Sequence, residues 1–253
     1  MFFSVVIPAH NEEKFISETL MAIALAWENF KKTPSSNDQN NKDQMEVIVV
    51  NNNSKDQTSK IAESTIQKLQ FNFGKVINLN AEKGPSFARA RGVDYAQGDI
   101  VCFIDADCKM SPLWFKVAKK NLKNKKIVAV GGPYKYDFVK WWQRFLNNFY
   151  SYFVLPILPF VLFVLFWKKS AVLIGGNIAV RKEALLKIGG VPQVEFWGDD
   201  ALLAMLLRRK VGKVKFSPHL IVSSSARRFE KDGFWKVNKK YTLEFFKVFF
   251  KHL

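Results

Sequence analysis

Between Phe2 and Leu122 the chain alternates four short runs of β-branched and other apolar residues with four amphipathic stretches. No other feature constrains the fold as strongly. The apolar runs are Phe2–Ile7, Glu46–Val50, Lys75–Leu79 and Ile100–Ile104. Each is too short for a helix and rich enough in Val and Ile for a strand buried on both faces. The stretches between them carry helical spacing. In the first, Glu12–Phe30, the apolar positions are Phe15, Ile16, Leu20, Ile23, Ala24 and Trp27. Further helices are predicted over Asp56–Leu69, with Ser54 as its cap, Ser86–Tyr95 and Pro112–Leu122. Strand-helix alternation of this kind predicts an α/β fold, a Rossmann-like and mostly parallel sheet with helices on both faces. A polar Ser/Asn-rich stretch, KKTPSSNDQNNKDQ, reads as a solvated loop.

Open parallel sheets bind ligands beyond the carboxyl ends of their strands. Three segments fall there: Pro8–Glu13, Asn51–Ser54 and Asp105–Asp107. The last ends the apolar run IVCFI with two carboxylates one residue apart. A strand that merely ends in a polar turn would look alike, so the motif gains weight from its place on the rim. The first strand is followed by AHNEE, not G-x-G-x-x-G, and no G-x-x-x-x-G-K-[ST] occurs. With neither glycine-rich phosphate cradle present, the rim offers carboxylates and amides. Two such Asp residues suit a hard cation, Mn²⁺ or Mg²⁺, which can neutralise a phosphate leaving group.

A net charge of +17 points to an anionic partner. Nucleic acid is disfavoured, because no binding motif is present and the aromatics cluster in apolar runs. His10, His219 and His252 are scattered and the two cysteines, Cys102 and Cys108, lack zinc spacing. Nothing demands a disulfide, so a reducing compartment fits. MFFSVVIPAHNEE has no basic leader and reads as a strand rather than a signal peptide.

Six segments in order, VVIPAHNEE, VVNNNSKDQTS, KGPSFARARG, CFIDADC, GGNIAVRKEALLKIGGV and FWGDDALLAMLLRRK, resemble the family-2 glycosyltransferases of the GT-A fold. The resemblance covers residues 3–230. It implies transfer of a sugar, with inversion, from a nucleotide-diphosphate donor. It places Pro8, Ala9, Asn11, Glu12, Asn51 and Asn53 at the nucleotide. The commonest family form has Asp in that turn; three Asn here leave base preference open, since Asn keeps an acceptor and adds a donor. Lys83 and Arg89 would face the donor, and Arg91 in the same motif would either do so or equally lie on a solvated face. Asp107 would ligate the metal and Asp105 would contact the ribose or metal-bound water. Asp200 would be the base for an acceptor hydroxyl, with Asp199 orienting the acceptor. Two adjacent carboxylates repel and raise one pKa, although both would also suit a helix start. Gly176, Asn177 and Trp197 would lie on the acceptor side. Arg227 and Arg228 would hold the diphosphate by bidentate pairing.

Residues 145–167, FLNNFYSYFVLPILPFVLFVLFW, carry no charge. The segment is long enough to span a bilayer. One complete crossing would separate Asp107 from Asp200. The segment must therefore re-enter, lie in the interface or pack inside. With Pro156 and Pro159 as breakers, a shallow hairpin fits. The domains so predicted are 1–230, containing this insert, and a basic amphipathic helix at 231–253. The basic–aromatic C-terminus and the lysines and arginines around the insert (Lys140, Arg144, Lys168, Lys169) suit an anionic membrane surface. The function expected is a membrane-associated glycosyltransferase on the cytoplasmic side, acting on a glycan or lipid-linked hydroxyl. A polyprenyl-phosphate sugar synthase and a catalytically inert scaffold of the same fold are the alternatives.

Overall fold

The computed structural model describes residues 1–32, 43–80, 84–138, 140–167, 169–194 and 198–251. The predicted alternation is present. Strand β1 (Phe2–Ala9) leads to α1 (Ile16–Lys32), β2 (Gln44–Asn52) to α2 (Thr58–Lys68), β3 (Gly74–Leu79) to α3 (Pro85–Tyr95) and β4 (Ile100–Ile104), through β5 (Cys108–Met110), to α4 (Trp114–Leu122). Next come β6 (Ile127–Gly131), β7 (Tyr134–Tyr136), α5 (Trp141–Phe149) and α6 (Leu155–Phe166). The chain then forms β8 (Asn177–Arg181), α7 (Lys182–Lys187), α8 (Asp199–Lys210), β9 (Lys213–Phe216), β10 (Val222–Ser224), α9 (Arg227–Asp232) and α10 (Phe234–Lys251).

The main sheet has the order β3-β2-β1-β4-β8-β6-β9. β1 to β4 are mutually parallel, and β8 runs antiparallel between β4 and β6. A small sheet, β5-β10-β7, stands beside it. Strand alternation sorts the two faces. Phe3, Val5 and Ile7 join Ile16, Leu20, Trp114 and Phe115 on one side. Val6 joins Ile48, Val50, Phe103, Ala88 and Leu203 on the other. A two-sided core explains why these strands read as unbroken apolar runs. In-register pairing of Pro8 with Val50 and Ala9 with Asn51 brings the ends of β1 and β2 to one level.

Two local expectations change. Ser54 does not cap α2; its hydroxyl accepts the Asn11 amide at 2.9 Å, and Asp56 accepts the Thr58 amide at 3.0 Å. The prolines do not fold the apolar insert into a hairpin. Helix runs from Trp141 to Phe166, 26 residues, through a π-helical turn at Tyr150–Val154. A proline ring clashes with the carbonyl four residues earlier. For Pro156 that carbonyl belongs to Tyr152, inside the π-turn, where the wider ladder displaces it. The helix is long and apolar enough to cross a membrane, and little of it is buried.

Gly92 marks where α3 rests on β1, since a Cβ there would lie 2.2 Å from Val6 Cγ1. Gly92→Ala should therefore cost about 2 kcal/mol by overpacking, outweighing its gain in helix propensity. Thermal unfolding checks this as a lower Tm.

Candidate active site

The loops after β1 and β2 are stitched together by backbone and side chain. His10 Nδ1 lies 2.8 Å from the Asn52 carbonyl, and Asn11 Oδ1 accepts the Lys55 amide at 2.8 Å. The Glu12 amide donates to Thr58 Oγ1 at 2.7 Å. Asn11 and Asn53 both adopt left-handed backbone, with φ of 56° and 55°. Asn tolerates that region better than most residues, which gives the Asn-rich turn a conformational reason. Pro8, Ala9, Asn11, Glu12, Asn52 and Asn53 line a cleft of about 1480 Å³. Asn51 sits behind them, buried, donating to Asn78 Oδ1 at 2.7 Å.

Arg89 stands at the centre of the cleft floor, 5% exposed. It does not project freely toward a donor. One guanidinium nitrogen donates to Asp105 Oδ1 at 2.7 Å and another to Asp199 Oδ2 at 2.5 Å. Those two carboxylates hold the guanidinium firmly protonated against the opposing effect of burial. Arg91, by contrast, is exposed and pairs with Asp94 at 3.1 Å. Tyr134 donates its hydroxyl to Asp105 Oδ2 at 3.1 Å. Gly175 and Gly176 back this cluster. A Cβ on Gly176 would lie 2.3 Å from both the Asp105 carboxyl carbon and the Tyr134 hydroxyl.

Asp200 opens α8 beside Asp199. Its oxygens accept the Gly175 amide at 3.0 Å and the Ala201 amide at 2.8 Å. Burial, reinforced by the Asp199 charge, raises its pKa to about 7. That is the range a general base requires.

A second acidic group gathers at Arg227. Its guanidinium bonds Glu12 Oε1 and lies 3.2 Å from Asp107 Oδ2. It also rests on the Phe15 ring, 4.7 Å from the centroid. Burial raises the pKa of Glu12 and of Asp107, and for Asp107 the Asp105 charge adds to it. Glu12 Oε2 is buried without a hydrogen-bond partner. Arg228 donates to the Tyr241 hydroxyl at 2.9 Å.

The cleft thus joins Asp105, Asp107, Asp199, Asp200, Arg89, Arg227 and Arg228, all selected from sequence. Lys83 and Trp197 lie outside the described residues. Asn177 departs from its expected acceptor-side place. It is wholly buried, accepts the Trp114 indole at 2.8 Å and donates to the Pro133 and Leu220 carbonyls at 3.2 and 2.7 Å. Gly176 likewise serves by making room for Asp105. Sequence reasoning missed Tyr134, Tyr241 and the stacking Phe15; their types and spacing set them apart from no core aromatic.

Among the described residues, no group of three or more His, Cys, Asp or Glu could hold a metal unaided. The donor set nevertheless fits a hard cation that also takes ligands from a substrate. Asp105 and Asp107 offer oxygens, and the orphaned Glu12 Oε2 marks a centre short of positive charge.

The family model for glycosyl transferase family 2 matches residues 4–189. The chain belongs to that family. It is 32% identical over 211 residues to the probable glycosyltransferase YdaM of Bacillus subtilis, covering 79% of this chain and 43% of that protein. It is 37% identical over 108 residues to the poly(ribitol-phosphate) β-N-acetylglucosaminyltransferase TarS of Staphylococcus aureus, covering 42% of this chain and 16% of TarS. The chain therefore spans less than half of either relative. Among solved structures, the mannosyltransferase PcManGT of Pyrobaculum calidifontis, in complex with GDP-Man and Mn²⁺, superposes with a TM-score of 0.63 at 22% identity, covering 88% of this chain and 56% of that one. TarS 1–349 in complex with UDP-GlcNAc gives 0.61 at 21%, covering 89% and 58%. These likenesses establish the GT-A-like fold, and the family match places the chain among the family-2 glycosyltransferases.

Arg89→Ala should lower stability by about 3 kcal/mol, because it strands carboxylates that a buried cation had paired. Adding Asp199→Asn should restore part of the loss. Urea unfolding of the single and double variants measures both.

Proposed function

We propose that this family-2 glycosyltransferase is metal-dependent and inverting. It moves a sugar from a nucleotide-diphosphate donor to a hydroxyl of a glycan or lipid-linked acceptor at the cytoplasmic face of a membrane. The observation that carries the reading is Asp200. Its carboxylate, whose pKa burial raises to about 7 and which shares one cleft with Asp105 and Asp107, supports a role in taking a proton from a hydroxyl.

In this reading the nucleotide lies over Pro8, Ala9, Asn11, Glu12 and Asn53, with Asn51 supporting the turn and Lys83, from its motif, as a further donor contact. Asp107, with Asp105, would hold Mn²⁺ or Mg²⁺. A divalent cation there supplies charge neutralisation for the departing diphosphate. Arg227 and Arg228 pair with diphosphate oxygens, for which guanidinium geometry is suited. Arg89 fixes Asp105 relative to Asp199. Asp199 orients the acceptor, Asp200 receives its proton, and Trp197 borders it. Residues 1–230 form the catalytic domain, and the basic helix α10 (Phe234–Lys251) walls its cleft and turns its exposed side to anionic lipid. The exposed apolar side of Trp141–Phe166, with Trp141 at 78% and Trp167 at 81% exposure, supports membrane association. The two cysteines are free and buried, which fits the cytoplasmic side.

A polyprenyl-phosphate acceptor is the second reading, favoured by 30% identity over 134 residues to the dolichol-phosphate mannosyltransferase of Pyrococcus furiosus. An ionised phosphate needs no base, so pH separates the two.

Incubation with Mn²⁺ and a panel of nucleotide sugars should show metal-dependent binding or slow hydrolysis of one donor, lost in Asp107→Ala. No signal from folded protein with any donor would favour an inert scaffold. Transfer should need unprotonated Asp200. Well below pH 7, kcat/KM should fall about tenfold per pH unit. Asp200→Asn should lose most activity and leave no such limb in what remains. An acid limb that persists in Asp200→Asn would instead support the phosphate acceptor, whose own second ionisation lies at about pH 6. After low-salt lysis without detergent, the protein should sediment with membranes; abundant soluble protein would overturn the membrane assignment.

A further inference from the structure

The cleft of about 1480 Å³ exceeds the ~300–1,000 Å³ usual for a small-molecule pocket. Beyond the donor residues, the same cleft is lined by two helices. The helix Trp141–Phe166 and α10 touch at both ends. Near their starts, Trp142 and Phe234 meet at 5.3 Å between ring centroids. Near their ends, Phe166 and Phe249 meet at 5.5 Å. Between these contacts one path is roughly 36 Å long and the other roughly 22 Å at helical rise. The longer helix therefore does not lie flush on the shorter. The π-turn and Pro159 fall in this interval, where bends are expected.

The resulting slot opens into the catalytic cleft. Phe149, Val154, Leu155 and Leu158 line it from one helix, and Tyr241 and Phe245 from the other. The slot reaches the base, since Tyr150 of the same helix and Asp200 line one cavity. A soluble glycan would have to desolvate hydroxyls against this apolar wall. A hydrocarbon chain would gain from the same burial. The outer side of the same helix is apolar and exposed, at Phe160 and Leu165 among others, so the slot borders a surface suited to lipid.

We infer that the acceptor is an amphiphile whose hydrocarbon chain lies in this slot and whose head-group hydroxyl is presented to Asp200. The inference rests on the transferase reading above and narrows its acceptor to the lipid-linked class.

The test uses the full chain in nanodiscs with Mn²⁺ and nucleotide sugar. The probe is dodecyl β-D-glucoside carrying a diazirine near its chain end, with labelled peptides mapped by mass spectrometry. Label is expected at Val154, Leu155, Leu158 and Phe245. It should be lost on adding excess unlabelled dodecyl glucoside and kept on adding glucose. Label confined to outward positions such as Phe160 and Leu165, or slot label that excess glucoside does not remove, would overturn the inference. Donor hydrolysis is followed in the same sample. Hydrolysis without slot labelling overturns the inference alone. Slot labelling without binding of any donor overturns the transferase reading, and the acceptor role with it.

Discussion

The guanidinium of Arg89 is the contact on which the site depends. It grips Asp105 at the end of β4 and Asp199 at the start of α8, two residues far apart in sequence with the apolar helix between them. Neither carboxylate could sit so close to the other acidic groups without a buried cation. Arginine alone among side chains stays charged there and offers donors in two directions. Gly175 completes the arrangement, since a Cβ would come within 2.9 Å of the guanidinium. One rigid cation thus sets the distance between the donor half of the cleft and the half that carries the base.

Charge explains the rest of the site. Glu12, Asp105, Asp107, Asp199 and Asp200 are five carboxylates, and Arg89, Arg227 and Arg228 face them. The protein relieves the excess in two ways. It lets Asp200 hold its proton up to about pH 7, and it rests Arg227 between Glu12 and Asp107. Arg227 sits where opposite charge is most needed. A diphosphate arriving with a divalent cation would bring a new partner for each side, the anion for the arginine and the cation for the carboxylates. In the proposed reading, the repulsion among these carboxylates favours binding of both together.

Much of this was legible in the sequence, because strand period, helix period and rim position depend on local pattern. The four β-α units and the motifs ending β1, β2 and β4 follow from that pattern alone. What failed depended on distant partners. Nothing near Arg89 reveals that it bridges Asp105 and Asp199 rather than facing the donor. Asn177 has the composition of an acceptor-binding residue, yet Trp114, Pro133 and Leu220 saturate it inside the core. Pro156 and Pro159 forecast a break, but the helix runs on, with a π-turn taking up the clash at Pro156. Each case is a tertiary or backbone adjustment overriding a sound local preference.

The apolar helix poses a geometric problem that its attachments resolve. At 26 residues it is roughly 39 Å long, more than the ~30 Å hydrocarbon core of a bilayer. Length alone would favour a crossing. Yet the helix is rooted in β7 at its start, packs on Phe234 near that start, and reaches Phe249 and Phe250 at its end. A helix tied at both ends to one globular body has no end free to carry across a membrane. What remains for its exposed Trp141, Phe145, Phe160 and Trp167 is contact along its flank. In the proposed reading, this flank would meet lipid on one side and border the cleft on the other, so that a chain could pass between them without entering water. The length of the helix is then explained by the cleft it walls rather than by a bilayer it would have to span.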